Sequence, residues 1–311
     1  MSATSIPTAS GTPDLFTARR GSLLPGQIEH TAGTTIPEID PDSRVGRLLA
    51  ALHARTHAAY RVVGDLALPP DQMTEPIVVR RALAFALVLR QMPVFIQGDE
   101  LLVGSRTIYG PPRERPSEVF PGLAGVPSIG YFPRYVTPEE EAAAGMPGGA
   151  ASNHNAIGYQ KMLRLGIGGI RRQAERRRAE LEADAGGLAD DDRARRLAFL
   201  RATVICLDAL SDLARRYADH ARDLASRSLD RARQAELLAI ARSCESISDE
   251  PPTTFRDALQ LYLLTRVASM VESYGCMPLG RFDQHLWPFL RADLAAGRLD
   301  RAGALELVEC L

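Results

Sequence analysis

Lysine is almost missing from this chain of 311 residues: Lys161 is the only one, and arginine carries the rest of the positive charge. With the excess of alanine, this reads as the coding bias of a GC-rich genome, and no binding chemistry is attached to it. An excess of one charge sign is missing as well. Lys and Arg total 37 against 38 Asp and Glu, a net charge of −1. No long-range field draws a polyanion or an acidic membrane, so nucleic acid and membrane surfaces are not expected partners. Cysteine is scarce. Cys206, Cys244, Cys276 and Cys310 lie 38, 32 and 34 residues apart without a CxxC or CxxH spacing, which excludes a zinc ribbon and a disulfide framework. No run of 18 apolar residues is free of charge, and Met1 to Thr17 lacks a basic stretch followed by an apolar core. Neither a spanning helix nor a signal peptide is expected, and a reducing cytoplasm is the expected location.

What remains is a globular composition, 45% hydrophobic and 24% charged, long enough for one large domain or two ordinary ones. Residues 1 to about 40 are rich in Ser, Thr, Pro and Gly without periodicity and are expected to form a flexible arm. After them, helix signals dominate. Arg44 to Ala59 reads as an amphipathic helix. A second begins near Thr74 and Pro76 and must stop at Met92, because Pro93 follows. Its residues Ile77, Val78, Leu83, Phe85, Leu87 and Val88 are apolar almost all round, which suits a helix buried on several sides.

Val94-Phe95-Ile96 and Leu101-Leu102-Val103 flank a Gly98-Asp99 turn, and the pattern predicts a local β-hairpin. Residues 108 to 152, dense in Pro and Gly, form a connection long enough to be functional or to wrap another part of the protein. From Tyr159 the chain reads as nearly continuous helix. One apolar stripe runs through Leu197, Leu200, Val204, Leu207, Leu210, Tyr217, Ala221 and Leu224. A second runs through Phe255, Leu259, Tyr262, Val267, Met270 and Tyr274. The second opens with Pro251-Pro252 and a capping box of Thr254 and Asp257, and closes at Gly275. A last helix starts near Asp300 and is still apolar at Leu311. As an isolated chain the protein is therefore expected to be mainly α.

Several groups of residues could carry chemistry. Arg171, Arg172, Arg176, Arg177 and Arg178 could hold phosphates, but Glu175, Glu180 and Glu182 interleave with them, so a solvated, self-paired helix face is expected. His53 and His57 stand four residues apart without the glutamate of an HExxH motif, so no metal is expected there. Gly166, Gly168 and Gly169 follow a helical pattern and lack a P-loop lysine, and close approach of another backbone explains them better than a nucleotide. Ser152-Asn153-His154-Asn155 reads by its chemistry as a capped turn with a structural histidine. Cys276 follows a buried helix with no base nearby in sequence, and reads as a small hydrophobe.

Taken in order, several segments resemble the pyruvate formate-lyase-like glycyl radical enzymes. Ile96 to Thr107 is similar to the family's "I-x-x-D-E-L-I-V-G-N-R-T". His154 to Tyr159 and Leu163 to Ile170 match the region of "G-H-x-x-P-D-Y-E-K-V-L-x-x-G-L-x-G-I". Pro251 to Leu261 resembles "H-P-P-R-T-F-H-E-A-L-Q-L", and Glu272 to Gln284 resembles "E-S-N-G-H-S-x-S-x-G-R-x-D-Q". The resemblance runs over residues 44 to 311, nearer the dehydratase and decarboxylase branch than pyruvate formate-lyase proper. It implies that residues 41–311 are the N-terminal, helical portion of a ten-stranded α/β barrel, ending before the active-site cysteine loop and the glycyl radical domain.

In that family a radical S-adenosylmethionine activating enzyme makes a backbone glycyl radical, which passes to a cysteine. The thiyl radical then abstracts hydrogen from a small organic substrate. No cysteine here has the "G-C-x-E" or Cys-Cys context, and Arg61-Val62-Val63-Gly64-Asp65 mimics "R-V-x-G-Y" only by coincidence. No catalytic residue and no bound cofactor are therefore expected in this chain. The implied partners are a C-terminal half in trans, the activating enzyme and the substrate. His154 aligns with a pocket histidine, where a neutral imidazole could meet a hydroxyl or carboxylate. Cys276 falls at the histidine of "N-G-H-S", and Met277 follows it. The chain is one residue shorter before Leu279, which implies loss of a hydroxyl-binding serine. The substrate-binding set is thus His154, Cys276 and Met277, with Arg281 and Asp283 as an ion pair or loop anchor. An inactive fragment with apolar surface exposed between Thr254 and Leu311 is one expectation. A catalytically dead helical scaffold or interaction protein, oligomeric through the same helices, is the other.

Overall fold

The computed structural model describes residues 39–56, 67–92, 94–104, 134–144, 157–183, 189–272 and 278–311. Nine α-helices and one short 3-10 turn, Pro70–Thr74, make up the regular structure of these residues, and no strand is present among them. The helices are α1 (Arg44–Thr56), α2 (Ile77–Gln91), α3 (Pro138–Ala144), α4 (Tyr159–Ala183), α5 (Asp190–Arg227), α6 (Arg231–Ile247), α7 (Phe255–Glu272), α8 (Phe282–Ala295) and α9 (Arg301–Glu309).

The 38 residues of α5 make a rod of about 57 Å at 1.5 Å per residue. It packs against α2, α4 and α6. Its stripe is only partly buried before Leu207. From there Leu207, Leu210, Leu213 and Tyr217 alternate with Ala209, Ala214, Ala218 and Ala221 in the core. Small residues between large ones let neighbouring helices approach and interdigitate. The same device operates in α2, where Ala82, Ala84 and Ala86 are buried with Val79, Val88 and Leu89, while Leu83, Phe85 and Leu87 are only partly covered. The end of α2 comes where Pro93 requires it, and Arg216 of α5 donates to the terminal carbonyls of Leu89 and Met92.

Two sequence expectations need correction. The first is the hairpin at 94–103. The turn at Gly98-Asp99 is present, but its arms form no ladder. Side chains from neighbouring helices take the backbone groups instead. Arg233 donates to the carbonyls of Gln97 and Glu100, and Arg256 donates to that of Leu101 at 2.7 Å. Gln260 then accepts from Val103 N–H at 2.9 Å and donates to Val103 C=O at 2.6 Å. A carboxamide carries a donor and an acceptor side by side, so one side chain supplies what a partner strand would.

The second correction concerns α7, which is not a helix with one buried stripe. Phe255, Ala258, Leu259, Gln260, Leu261, Tyr262, Leu264, Thr265, Val267 and Ala268 are all buried, so α7 is covered nearly all round by α2, α4, α5, α6, α8 and α9. Its start is as expected. Thr254 Oγ1 accepts from Asp257 N–H, and the Asp257 carboxylate accepts from Thr254 N–H, a reciprocal capping box. From α8, Asp293 adds a bond to Phe255 N–H at 2.7 Å.

Within α4 the helix breaks at Gly166, which has φ +67°. A Cβ there would stand 2.6 Å from Pro251 N, and one on Gly168 would stand 2.4 Å from Asp249 O. Gly168 N–H donates to that Asp249 carbonyl at 2.9 Å. The link between α6 and α7 thus crosses α4 backbone to backbone, as the glycine pattern requires. The arginine cluster follows its expectation only in part. Arg177 pairs with Glu180 and Arg178 with Glu182 on the same helix, whereas Arg171 and Arg172 both reach Asp249 and so brace the crossing.

The arm expected over residues 1–40 lies outside the described residues except for 39 and 40, as does most of the connection 108–152. His57, the side chain of His53 and Arg61-Val62-Val63-Gly64-Asp65 are outside them too. Among the described residues no helix is long and apolar enough to cross a membrane.

Candidate functional site

His154, Cys276 and Met277, the expected substrate-binding residues, all lie outside the described residues. What the structure describes is the frame on either side of them. Tyr159, at the first turn of α4, stacks on Tyr262 of α7 with ring centroids 3.6 Å apart and planes 10° from parallel. Tyr262 in turn donates its hydroxyl to the carbonyl of Leu279, and Phe282 meets its ring edge-on at 5.3 Å. The chain just after residue 154 and the chain just after residue 277 are therefore tied to one aromatic residue in the middle of α7.

The tie is strong for physical reasons. Tyr159 and Tyr262 are both buried, and stacked aromatic pairs add about 1 kcal/mol beyond the area they bury. Burial pushes both phenols above their ordinary pKa, against the pull of the nearby Arg266 charge, so both remain neutral donors at physiological pH. The Tyr159 hydroxyl has no hydrogen-bond partner.

Beside this junction is a cleft of about 270 Å³ between α7 and the chain from Leu279 onward, lined by Tyr262, Leu263, Arg266, Leu279, Phe282, Val308 and Leu311. None of the described residues that line it has an acidic side chain. Among the described residues, Arg266 Nε is shielded from solvent and has no hydrogen-bond partner. Sequence reasoning passed over both Gln260 and Arg266. The available signal was a polar residue inside an otherwise apolar run, since both interrupt the hydrophobic sequence of α7.

Arg281 and Asp283 do form the expected ion pair, at 3.0 Å. Both are well exposed, so the pair stiffens the turn into α8 without supplying a buried charge. Apolar surface expected between Thr254 and Leu311 is found on one part of that span. Leu279, Trp287, Leu305 and Val308 are exposed, while α7 itself is covered. Of the cysteines, Cys244 is buried and its thiol is pushed far up by desolvation. Burial raises Cys310 to about 11. Neither has thiolate character at neutral pH.

A family model described as pyruvate formate lyase-like matches residues 133–311, and the chain belongs to that family. Its curated relatives include the isethionate sulfite-lyase of Desulfovibrio desulfuricans, 29% identical over 293 residues that cover 76% of this chain and 34% of the relative. The trans-4-hydroxy-L-proline dehydratase of Clostridioides difficile is 34% identical over 163 residues, covering 52% of this chain and 20% of that protein. Among solved structures, one from Roseburia inulinivorans, described as a 1,2-propanediol dehydration enzyme, superposes with a TM-score of 0.67 at 25% identity, over 88% of this chain and 37% of that one. The hydroxyproline dehydratase of Clostridioides difficile, solved with trans-4-hydroxy-L-proline bound, gives a TM-score of 0.64 at 25% identity over 87% and 39%. The chain spans about a third of the length of the isethionate sulfite-lyase.

Proposed function

We propose that these 311 residues form the N-terminal third of a glycyl radical lyase or dehydratase and contribute one wall of its substrate pocket. The observation that carries the reading is the Tyr159–Tyr262–Leu279 junction, which lies inside the span matched by the family model and gathers the flanks of His154 and of Cys276-Met277. In this reading His154 meets a hydroxyl or carboxylate of a small organic substrate, and Cys276 and Met277 shape the wall beside it. The thiyl cysteine and the radical glycine lie on polypeptide outside these residues, and a radical S-adenosylmethionine activating enzyme installs the radical. The chain is then inactive alone and needs the remainder of the barrel, in a reducing cytoplasm under anaerobic conditions. In this reading the barrel strands belong to that remainder. The relatives' names point to hydroxylated substrates such as isethionate and trans-4-hydroxy-L-proline.

The test is anaerobic co-expression with a separately supplied polypeptide carrying the rest of the barrel and with an activating enzyme. The expected result is a glycyl radical doublet in the electron paramagnetic resonance spectrum and turnover of a hydroxylated substrate, with turnover reduced at least tenfold by His154→Ala while the radical signal persists. A monodisperse homo-oligomer that forms no complex and supports no radical signal with any such companion overturns the reading in favour of a helical scaffold.

A further inference from the structure

Among the ion pairs of the described residues, the most deeply placed guanidinium is that of Arg80, whose side chain is 5% exposed. It stands on α2 among the buried Val79, Ala82 and Ala84. A charge so far from water needs a counter-charge with good geometry. Glu140 of α3 supplies it, accepting from both terminal nitrogens of the guanidinium at 2.9 and 2.5 Å, the forked pairing that suits arginine best.

Glu140 has a second task. Its carboxylate also accepts from Thr137 N–H at 2.8 Å, while Thr137 Oγ1 accepts from Glu140 N–H at 3.2 Å. That reciprocal capping box opens α3. One oxygen, Oε2, serves both Arg80 and the Thr137 amide. The rest of α3 has little to hold it. It is seven residues long, below the about 12 residues at which an isolated helix becomes even marginal in water. Pro138, Glu139, Ala142 and Ala143 are exposed. Just before α3, the Arg81 guanidinium lies over the Tyr135 ring at 6.0 Å, near the outer limit of a cation–π contact.

We propose that residues 134–144 are a strap that exchanges as one unit between a docked helix and an undocked coil while the body of the protein stays folded, with Arg80 and Glu140 as its latch. Capping and docking share one carboxylate, so neither persists without the other. Such openings below the global unfolding free energy belong to elements with few buried contacts. The docked strap leads the chain to α4 over residues 145–156, which include His154, rather than over the whole span from 105 to 156. The latch lies on α2 and α3, so it stands or falls separately from the lyase reading.

Hydrogen exchange of the 311-residue chain, read by mass spectrometry, tests the strap. Glu140→Gln is the deciding variant, because glutamine can still close a capping box but brings no charge to Arg80. Exchange at 138–144 rises at least tenfold in Glu140→Gln, and in Thr137→Ala, which leaves the carboxylate in place and removes the cap. Exchange in α2 and α5 stays within twofold of the parent in both. The double variant exchanges no faster in the strap than Glu140→Gln alone, since an undocked strap has no further contact to lose. Arg80→Met raises strap exchange to the same level. Should Arg80→Met fail to fold, the two strap variants and their combination still decide the matter. Strap exchange in Glu140→Gln within twofold of the parent, additive effects in the double variant, or exchange in α2 that rises in step with the strap, overturns the proposal.

Discussion

At its N-terminal end α7 is tied from every side, whereas toward its C-terminal end it borders an apolar cleft. The first half carries the capping box, the Asp293 bond to Phe255 N–H and the Gln260 clamp on Val103. The second half carries Tyr262 and Arg266, with exposed Leu279, Val308 and Trp287 on the elements beyond. One half is finished by residues within this chain. The other leaves apolar side chains exposed beside a partly buried arginine. The difference teaches where stability and function divide, because a fully satisfied polar network rigidifies while an unsatisfied one waits for a partner.

The contrast is broken most severely at the glycine crossing. Gly166→Ala places a Cβ against Glu250 and Pro251 backbone and forces a positive φ on a chiral residue. Left-handed strain and overpacking together cost about 3 to 5 kcal/mol, read as a lower urea midpoint with an unchanged slope. Next is Gln260→Leu, which leaves the buried N–H and C=O of Val103 without partners. A loss of about 2 to 4 kcal/mol is expected, with faster amide exchange at 97–104. Asp257→Ala removes the acceptor for Thr254 N–H and Ser243 Oγ. It costs about 1 to 2 kcal/mol, checked by the same urea titration.

Acid sharpens the comparison, because α1 is held by ion pairs whereas α7 is held mainly by the burial of its side chains. Burial raises the Glu236 carboxyl, but hydrogen bonds from Arg44 and Arg233 outweigh it and leave the group below its ordinary value. The Arg47 hydrogen bond lowers Asp99 in the same way. A depressed carboxylate pKa contributes stability that is present above the unfolded value and lost as pH falls through the folded one. Exchange at α1 amides, corrected for intrinsic rates, should therefore rise below about pH 4.5, before exchange in the first half of α7 does. The smallest effect belongs to Arg281→Ala. That ion pair is solvent-exposed, so the melting temperature should not move measurably.

Much of this was legible in the chain because it rests on local rules. Proline placed the end of α2, Thr254 and Asp257 placed the start of α7, and glycine at 166 and 168 announced a backbone crossing, since only a residue without Cβ permits it. The hairpin at 94–103 was misread because two apolar runs about a turn show where the chain reverses, not what satisfies its backbone. Gln260 stands 157 residues away from Val103 in sequence, and no local pattern encodes such a pairing. Arg266 looked like one more arginine in a chain rich in them.

The sequence by itself determined the helical character, the end of α2, the start of α7, the glycine crossing and the membership of the pyruvate formate lyase-like family, because capping, periodicity and steric room are properties of neighbouring residues. Only the tertiary structure decided that α7 is enclosed and that Tyr262 joins the start of α4 to Leu279. Those facts depend on which distant groups meet, and burial and electrostatic pairing are settled by that meeting alone.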